Sequence, residues 1–335
     1  LNRAVIQSFN TTVSVCKLVF DFVYEPGGDG NAIVSGIEVI AQSGNMPSGE
    51  FRPFATKYYH EGVYVGGVCS AETSLNRNDL SAKVYRFDPV MESFAPVLSV
   101  PLTYTKGTVN LSCADTTIGT RWNAWVSTDG SPGTTGTSCF LGYRSNPAPM
   151  LTDIEFDIDG SMILGFADRF GHQTGWSNNY INGTFGETTT SGGDVLRAGY
   201  LNGTYQLESN GRVTSTVLGM VTSATGAGSN QGPGGGEFYT FELEPTYHQE
   251  TSQGGLALMP GSQQLVLSVM DPVNVWSQGV AWGSNVNGSK RTTNGGLTLQ
   301  ADVAGGARKA SGVGDVELLS DPAPIEIGNR VWNDI

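Results

Sequence analysis

Basic residues are scarce. The 335-residue chain has 18 Lys and Arg against 31 Asp and Glu, a formal net charge of −13. That speaks against nucleic acid and anionic membrane surfaces as partners, because both are held by basic patches. Histidine occurs three times, at His60, His172 and His248, and there is no GxSxG turn to carry a nucleophilic serine. The four cysteines, Cys16, Cys69, Cys113 and Cys139, show no CxxC spacing, so no zinc-ribbon or thioredoxin motif is present. No run approaches the roughly 18 apolar residues of a membrane span, so no span is predicted in this segment. A sustained i, i+3, i+4 apolar pattern is missing too, which removes long amphipathic helices.

Glycine is abundant, at 46 residues, with 15 Pro and 10% aromatics. Short β-rich runs alternate with Gly/Asn/Asp/Pro turns, the pattern of an all-β fold. Val13 to Tyr24 reads as the strongest strand, and 62–69 and 82–88 as two strands of one sheet. Hairpins are predicted across Asp157–Ser161, Asn202-Gly203 and Pro260–Ser262. Gly36-Ile-Glu-Val39, Asp153-Ile-Glu-Phe156 and Asp315-Val-Glu-Leu318 echo one another at irregular spacing, with Gly255-Leu-Ala-Leu258 a degenerate fourth. Degenerate blades with inserted loops produce such echoes, so the expectation is a β-propeller of about six to seven blades, with a large β-sandwich as the alternative. The strand 13–24 is expected to close the ring beside 315–319. Two segments, 123–149 and 223–237, read as long loops, which in a compact domain are usually functional or contact-making.

An even number of scattered cysteines fits disulfides in a secreted protein. Of three pairings Cys113–Cys139 is favoured, closing a Gly/Thr/Ser-rich loop; buried thiols are the other reading. Sequons stand at Asn10, Asn110, Asn182, Asn202 and Asn287, the last three being Asn-Gly turns suited to exposure. The first residue is Leu1 and the last Ile335, read here as a processed or partial stretch of something longer.

Several motifs carry a resemblance. They include Arg52-Pro-Phe-Ala-Thr-Lys-Tyr-Tyr59 with Gly62-Val-Tyr-Val-Gly-Gly-Val-Cys69, and Val84-Tyr-Arg-Phe-Asp-Pro89. Pro149-Met-Leu-Thr-Asp-Ile-Glu-Phe-Asp157, Gly165-Phe-Ala-Asp-Arg169, Gly192-Gly-Asp-Val-Leu-Arg197 and Gln231-Gly-Pro-Gly-Gly-Gly-Glu237 extend it. It ends with Asp321-Pro-Ala-Pro-Ile-Glu-Ile-Gly-Asn-Arg-Val-Trp-Asn-Asp334. Together these resemble a family of large, mostly bacterial secreted surface proteins in which propellers lead into SdrD B-like (prealbumin-like, calcium-binding) repeats. The resemblance implies a propeller-like domain over 1–324 and the first strand of a B-like repeat over 325–335, stopping before that repeat's calcium loop. Residues 1–50 fit it least.

Candidate chemistry is sparse. In an extended strand Asp153, Glu155, Asp157 and Asp159 share a face, and four neighbouring carboxylates repel unless a cation or an arginine sits among them. Calcium is the ion such a set would take, although the EF-hand pattern is not met. A plain hairpin turn is the competing reading. Asp153, Asp168, Asp194, Glu237 and Asp315, assisted by Arg169 and His172, are candidates to line one end of a propeller channel as hydrolytic carboxylates. His60 and His248 read as turn or surface residues. Gly232–Gly236 lacks the Lys-Ser/Thr of a phosphate loop and reads as a structural turn. Trp122, Trp125, Trp176, Trp276 and Trp282 read as exposed loop residues suited to interfaces or sugar stacking, or else as packing at blade edges.

The expected function is therefore a non-enzymatic extracellular structural or adhesive module, presented on a cell surface, sheath, appendage or filament. Its partners would be copies of itself, neighbouring domains and glycans. No cofactor is expected beyond calcium. The alternative is a glycan-binding or glycan-cleaving propeller using channel carboxylates.

Overall fold

The computed structural model describes residues 51–88, 93–109, 119–126, 143–174, 188–242, 248–259, 261–301 and 312–318, and the backbone alone of strands 5–12, 17–26, 32–39 and 137–138. The chain is all-β. Strands β1 (Val5–Thr12), β2 (Lys17–Pro26) and β3 (Ala32–Val39) form an antiparallel sheet in chain order. Three four-stranded antiparallel meanders follow. Sheet A holds β4 (Phe51–Tyr59), β5 (Gly62–Cys69), β6 (Ser81–Asp88) and β7 (Ser93–Pro101). Sheet B holds β10 (Pro149–Phe156), β11 (Met162–Asp168), β13 (Asp194–Leu201) and β14 (Thr204–Leu207). Sheet C holds β17 (Ser252–Leu258), β18 (Gln264–Met270), β19 (Gln278–Ser284) and β20 (Gly296–Gln300). Short strands β8 (Thr137–Ser138), β9 (Tyr143–Ser145) and β12 (Thr188–Thr189) make a small sheet, and β15 (Arg212–Ser215) pairs with β16 (Gly219–Thr222). One helical turn, α1 (Arg169–Thr174), follows β11.

Sheet B is sandwiched between its neighbours, and its sequence shows why. Strand side chains alternate between faces. From β11, Met162, Leu164 and Phe166 enter one core with Tyr64, Val68 and Val84 of sheet A. Ile163, the alternate residue, enters a second core with Leu256, Leu265 and Leu267 of sheet C. Strand β13 does the same with Leu196 and Ala198 on one side and Val195 on the other. A strand covered on both faces reads as a continuous apolar run, and Met162–Ala167 does so. Four-stranded antiparallel meanders stacked face to face in chain order are the arrangement of propeller blades. Among the described residues three four-stranded sheets are complete.

The predicted hairpins form where their turn residues demanded. Asp157 opens the β10–β11 turn, accepting the Gly160 N–H at 2.9 Å. Asn202 and Gly203 both take positive φ, 50° and 88°, the conformation of a two-residue turn matched to strand twist. Strands β17 and β18 join through 259–263. Of the expected strand 13–24, residues 17–24 lie in β2, and 13–16 lie outside the described residues. Strand β2 is flanked by β1 and β3, and 312–318 is not strand, so the expected closure of β2 against 315–319 is not made. Residues 325–335, expected to open a B-like repeat, lie outside the described residues, as do Cys16, Cys113, Cys139, Asn110, Asn182 and Trp176. Cys69 is buried at the end of β5.

Candidate metal centre

The four acids 153, 155, 157 and 159 do not converge on one point. Alternation along β10 sends Ile154 and Phe156 into the first core, and each carboxylate finds a partner from elsewhere in the chain. Asp153 accepts the Leu256 amide of β17 at 2.7 Å. Glu155 pairs with Lys57 Nζ of β4 at 2.6 Å. Asp157 and Asp159 share the fully buried guanidinium of Arg197, at 3.2 and 3.4 Å, and the Asn285 amide also donates to Asp157. Arg197 thus supplies the positive charge between Asp157 and Asp159. Burial, reinforced by Asp315, pushes Asp153 up to about 8.

A different group of acids does converge. One carboxylate oxygen each from Asp194, Glu237, Glu242 and Glu250 lies within 4.8 Å of all the others. All four residues are buried, at 0–1% exposure. Asp194 is the first residue of β13. Glu237 is set by the glycine-rich segment before it. Gly232, Gly234 and Gly235 take φ of 73°, 69° and 82°, a left-handed run open to glycine alone at low cost. Gly232 N–H donates to Thr105 O at 2.7 Å, and Glu237 N–H to Gly226 O at 3.0 Å. Phe238, Tyr239 and Phe241 then anchor the chain in the second core, carrying Glu242 inward. Glu250 precedes β17 with φ 57°, strained backbone of the kind that gathers at functional sites.

One ammonium reaches this cluster. Lys106 Nζ stands 3.8 Å from Glu250 Oε2, donates to Gly193 O at 3.1 Å, and lies 4.8 Å over the Trp122 ring. The Tyr104 hydroxyl donates to Asp194, and Ser252 N–H to Glu242 at 3.2 Å. Both carboxylate oxygens of Glu237 and of Glu250 are buried without a hydrogen-bond partner, as is Glu242 Oε1. Burial, then repulsion from neighbouring acids, raises Glu237 well above the usual carboxylate range. Burial raises Glu250 similarly, against the pull of Lys106, and lifts Glu242 to about 8. Glu208, close by, is likewise pushed up to about 8 by burial.

Two of the acids named from sequence as channel residues, Asp194 and Glu237, thus belong to the cluster. The others do not. Asp168 accepts three backbone N–H groups, from Ala148, Phe170 and Gly192, and burial lifts it to about 6. Asp315 is exposed. Arg169 lies 4.6 Å over the Trp125 ring, and His172 sits in α1. Glu242, Glu250 and Lys106 escaped the sequence reading. The aromatic run Phe238-Tyr-Thr-Phe241 just before Glu242 was the one local sign that an acid there would be carried inside.

Other expectations sort similarly. His60 forms the predicted turn, with φ 44°. His248 is not a surface residue: it is 2% exposed, with Nδ1 2.7 Å from Asp271. Trp122 and Trp125 are buried, donating to Tyr104 Oη at 3.0 Å and Pro149 O at 2.8 Å, so for these two the packing reading holds. Trp276 and Trp282 are half-buried. Gly232–Gly236 is a structural turn. Asn202 lies in an exposed turn and Asn287 is half-buried; Asn10 lies within β1.

No helix among the described residues is long and apolar enough to cross a membrane. No protein-family model matches the chain. The chain is similar to segments of three Dictyostelium discoideum proteins. It is 30% identical to Colossin-A over 292 residues, covering 85% of this chain and 2% of that protein. Colossin-B is 28% identical over 313 residues, 89% of this chain and 8% of its own length. Colossin-C is 24% identical over 304 residues, 88% and 27% respectively. The chain thus spans a small part of each of these relatives. Among solved structures, a GH43_1 enzyme from Xanthomonas citri aligns over 85% of this chain and 72% of that one at 9% identity, with a TM-score of only 0.29.

Proposed function

We propose that this chain is a non-enzymatic structural or adhesive module of an extracellular surface protein, a propeller-like unit leading into SdrD B-like repeats, acting by presenting surface to copies of itself or to neighbouring domains. The observation that carries this reading is the sealing of its acids. Asp194 and Glu237, the channel candidates that do come together, are each 1% exposed, so a glycosidic bond has no path to them. Similarity that covers nearly the whole chain but only small parts of very long proteins fits one module among many. Negative-stain electron microscopy of native material tests it, together with a panel of glycoside substrates. Filaments or arrays without turnover are expected; turnover that disappears in Glu237→Gln overturns it.

A second reading, glycan binding without cleavage, is favoured by one feature. A cavity of about 630 Å³ between sheets A and B is lined by Tyr59, Tyr64, Tyr200 and Tyr205 with His60 and Arg86. Tyrosine rings stack on sugar faces while their hydroxyls bond to sugar hydroxyls. A glycan array run with the native chain and Tyr200→Ala tests this reading, and a blank array with the native chain removes it.

A further inference from the structure

We propose that Asp194, Glu237, Glu242 and Glu250 hold one divalent cation of the calcium class, a site distinct from the acids of β10 and independent of the surface-module reading above.

Two observations point there separately. The first is geometric. Oxygens bound to a single calcium at about 2.4 Å lie at most about 4.8 Å apart, whereas a magnesium or zinc shell at about 2.1 Å confines them to roughly 4.2 Å. The four acids each place an oxygen within 4.8 Å of the rest, a span that one calcium ion can bridge. The second is the state of the remaining oxygens. Glu237 and Glu250 each place one oxygen in the cluster, and no donor reaches either buried carboxyl beyond the proton that Glu237 can share with Glu242. Buried polar groups in native proteins are nearly always satisfied, so buried carboxyls converging on one point with so few donors call for a ligand that meets them together.

Charge leads to the same place. The charged groups facing the cluster are Lys106, the four acids and, a little further out, Glu208. Lys106 offsets one carboxylate and is itself divided between Glu250 and Gly193 O. Protonation quiets the remaining charge but supplies at most one donor per carboxyl. A cation meets every oxygen at once. The donor set is all oxygen, with no histidine or cysteine among the ligands, which suits a hard ion over zinc or copper. Four carboxylates, mono- or bidentate, span the six to eight donors calcium takes, without the waters magnesium retains.

The site would tie together segments far apart in sequence. Asp194 starts a strand of sheet B, Glu250 leads into sheet C, and Glu237 closes the glycine-rich segment. Tyr104 and Trp122, the latter under Lys106, lie alongside, close enough to sensitise terbium bound in calcium's place.

The test uses the whole 335-residue chain, stripped with chelator and titrated with calcium, magnesium or terbium. Elemental analysis should find one calcium per chain. At calcium one hundred times its dissociation constant, Tm should rise by about 4 °C, and terbium luminescence excited through tryptophan should saturate at one equivalent. Glu237→Gln should abolish both effects, while Asp153→Asn, outside the cluster, should retain them. Should Glu237→Gln fail to fold, the terbium titration of the native chain still decides. Absence of bound metal and a Tm indifferent to calcium overturn the proposal and leave protons as the neutralising agent. Retention of calcium by Glu237→Gln with its loss in Asp153→Asn overturns it too.

Discussion

The hydroxyl of Tyr104 donates to Asp194 Oδ2 at 2.5 Å, joining the segment after β7 to the first residue of β13. The same oxygen accepts the Trp122 indole N–H at 3.0 Å, so one phenol serves as donor to an acid and acceptor from a buried indole. Tyr104→Phe leaves both partners unsatisfied in the interior. The expected loss is about 1–3 kcal/mol, read as a lower urea midpoint with unchanged slope, with Trp122 fluorescence altered in the folded state.

Stability in chelator should fall as pH rises. Asp153, Glu208 and Glu242 are raised by burial to about 8, and Asp168 to about 6. An acid whose folded value lies above its unfolded one binds its proton more tightly when folded. Its contribution is complete below about pH 4 and is lost as pH climbs through the folded value. Metal-free protein should therefore melt higher at pH 5 than at pH 8 by calorimetry. A flat profile across that window would contradict the burial of these groups.

Arg197 is the buried counter-charge of sheet B. It is 0% exposed and serves Asp157, Asp159 and the carbonyl of Asn285 together. Arg197→Met strands two carboxylates, and removal of one partner of a buried pair costs about 3–5 kcal/mol. Chemical denaturation should show that loss at pH 7, and it should shrink on acidification as Asp157 and Asp159 protonate.

Gly107 touches the acid cluster through what it lacks. Its φ is +132°, and a Cβ there would stand 2.0 Å from Glu250 Oε1. Gly107→Ala should displace Glu250 without removing a ligand. Calcium affinity, by isothermal titration, should weaken about tenfold, equivalent to ~1.4 kcal/mol. An unchanged affinity would place Glu250 outside the coordination shell.

How much of this was legible in the sequence depended on range. The hairpins at Asp157–Ser161 and Asn202-Gly203 were readable because a turn is decided by adjacent residues. The all-β class followed from the same signals. The partners of Asp153 and Asp157 were not readable: they come from Leu256, Asn285 and Arg197, and nothing local announces a pairing with residues 40 to 128 positions away. The acid cluster fails local reading for the same reason. Asp194 and Glu237 stood out beside glycines, but Glu250 sits in a polar run, Tyr247-His-Gln-Glu250, that looked like surface. Its inward course is fixed by the Gln249 backbone bridge to Thr108 and by the His248–Asp271 pair.

The stitching of the 104–108, 193–194, 237–242 and 248–250 segments around one point also bears on how the molecule is made. Contacts over such separations form late, because chain closure must come before they are rewarded. The acid cluster is therefore expected to act as a latch on the finished structure, so that Glu237→Gln should speed unfolding and leave the refolding rate nearly unchanged in stopped-flow measurements. Interactions absent from the transition state slow unfolding while leaving the folding rate nearly untouched. Endurance, measured as the lifetime of the native state under protease or shear, is the property that this buried centre sets.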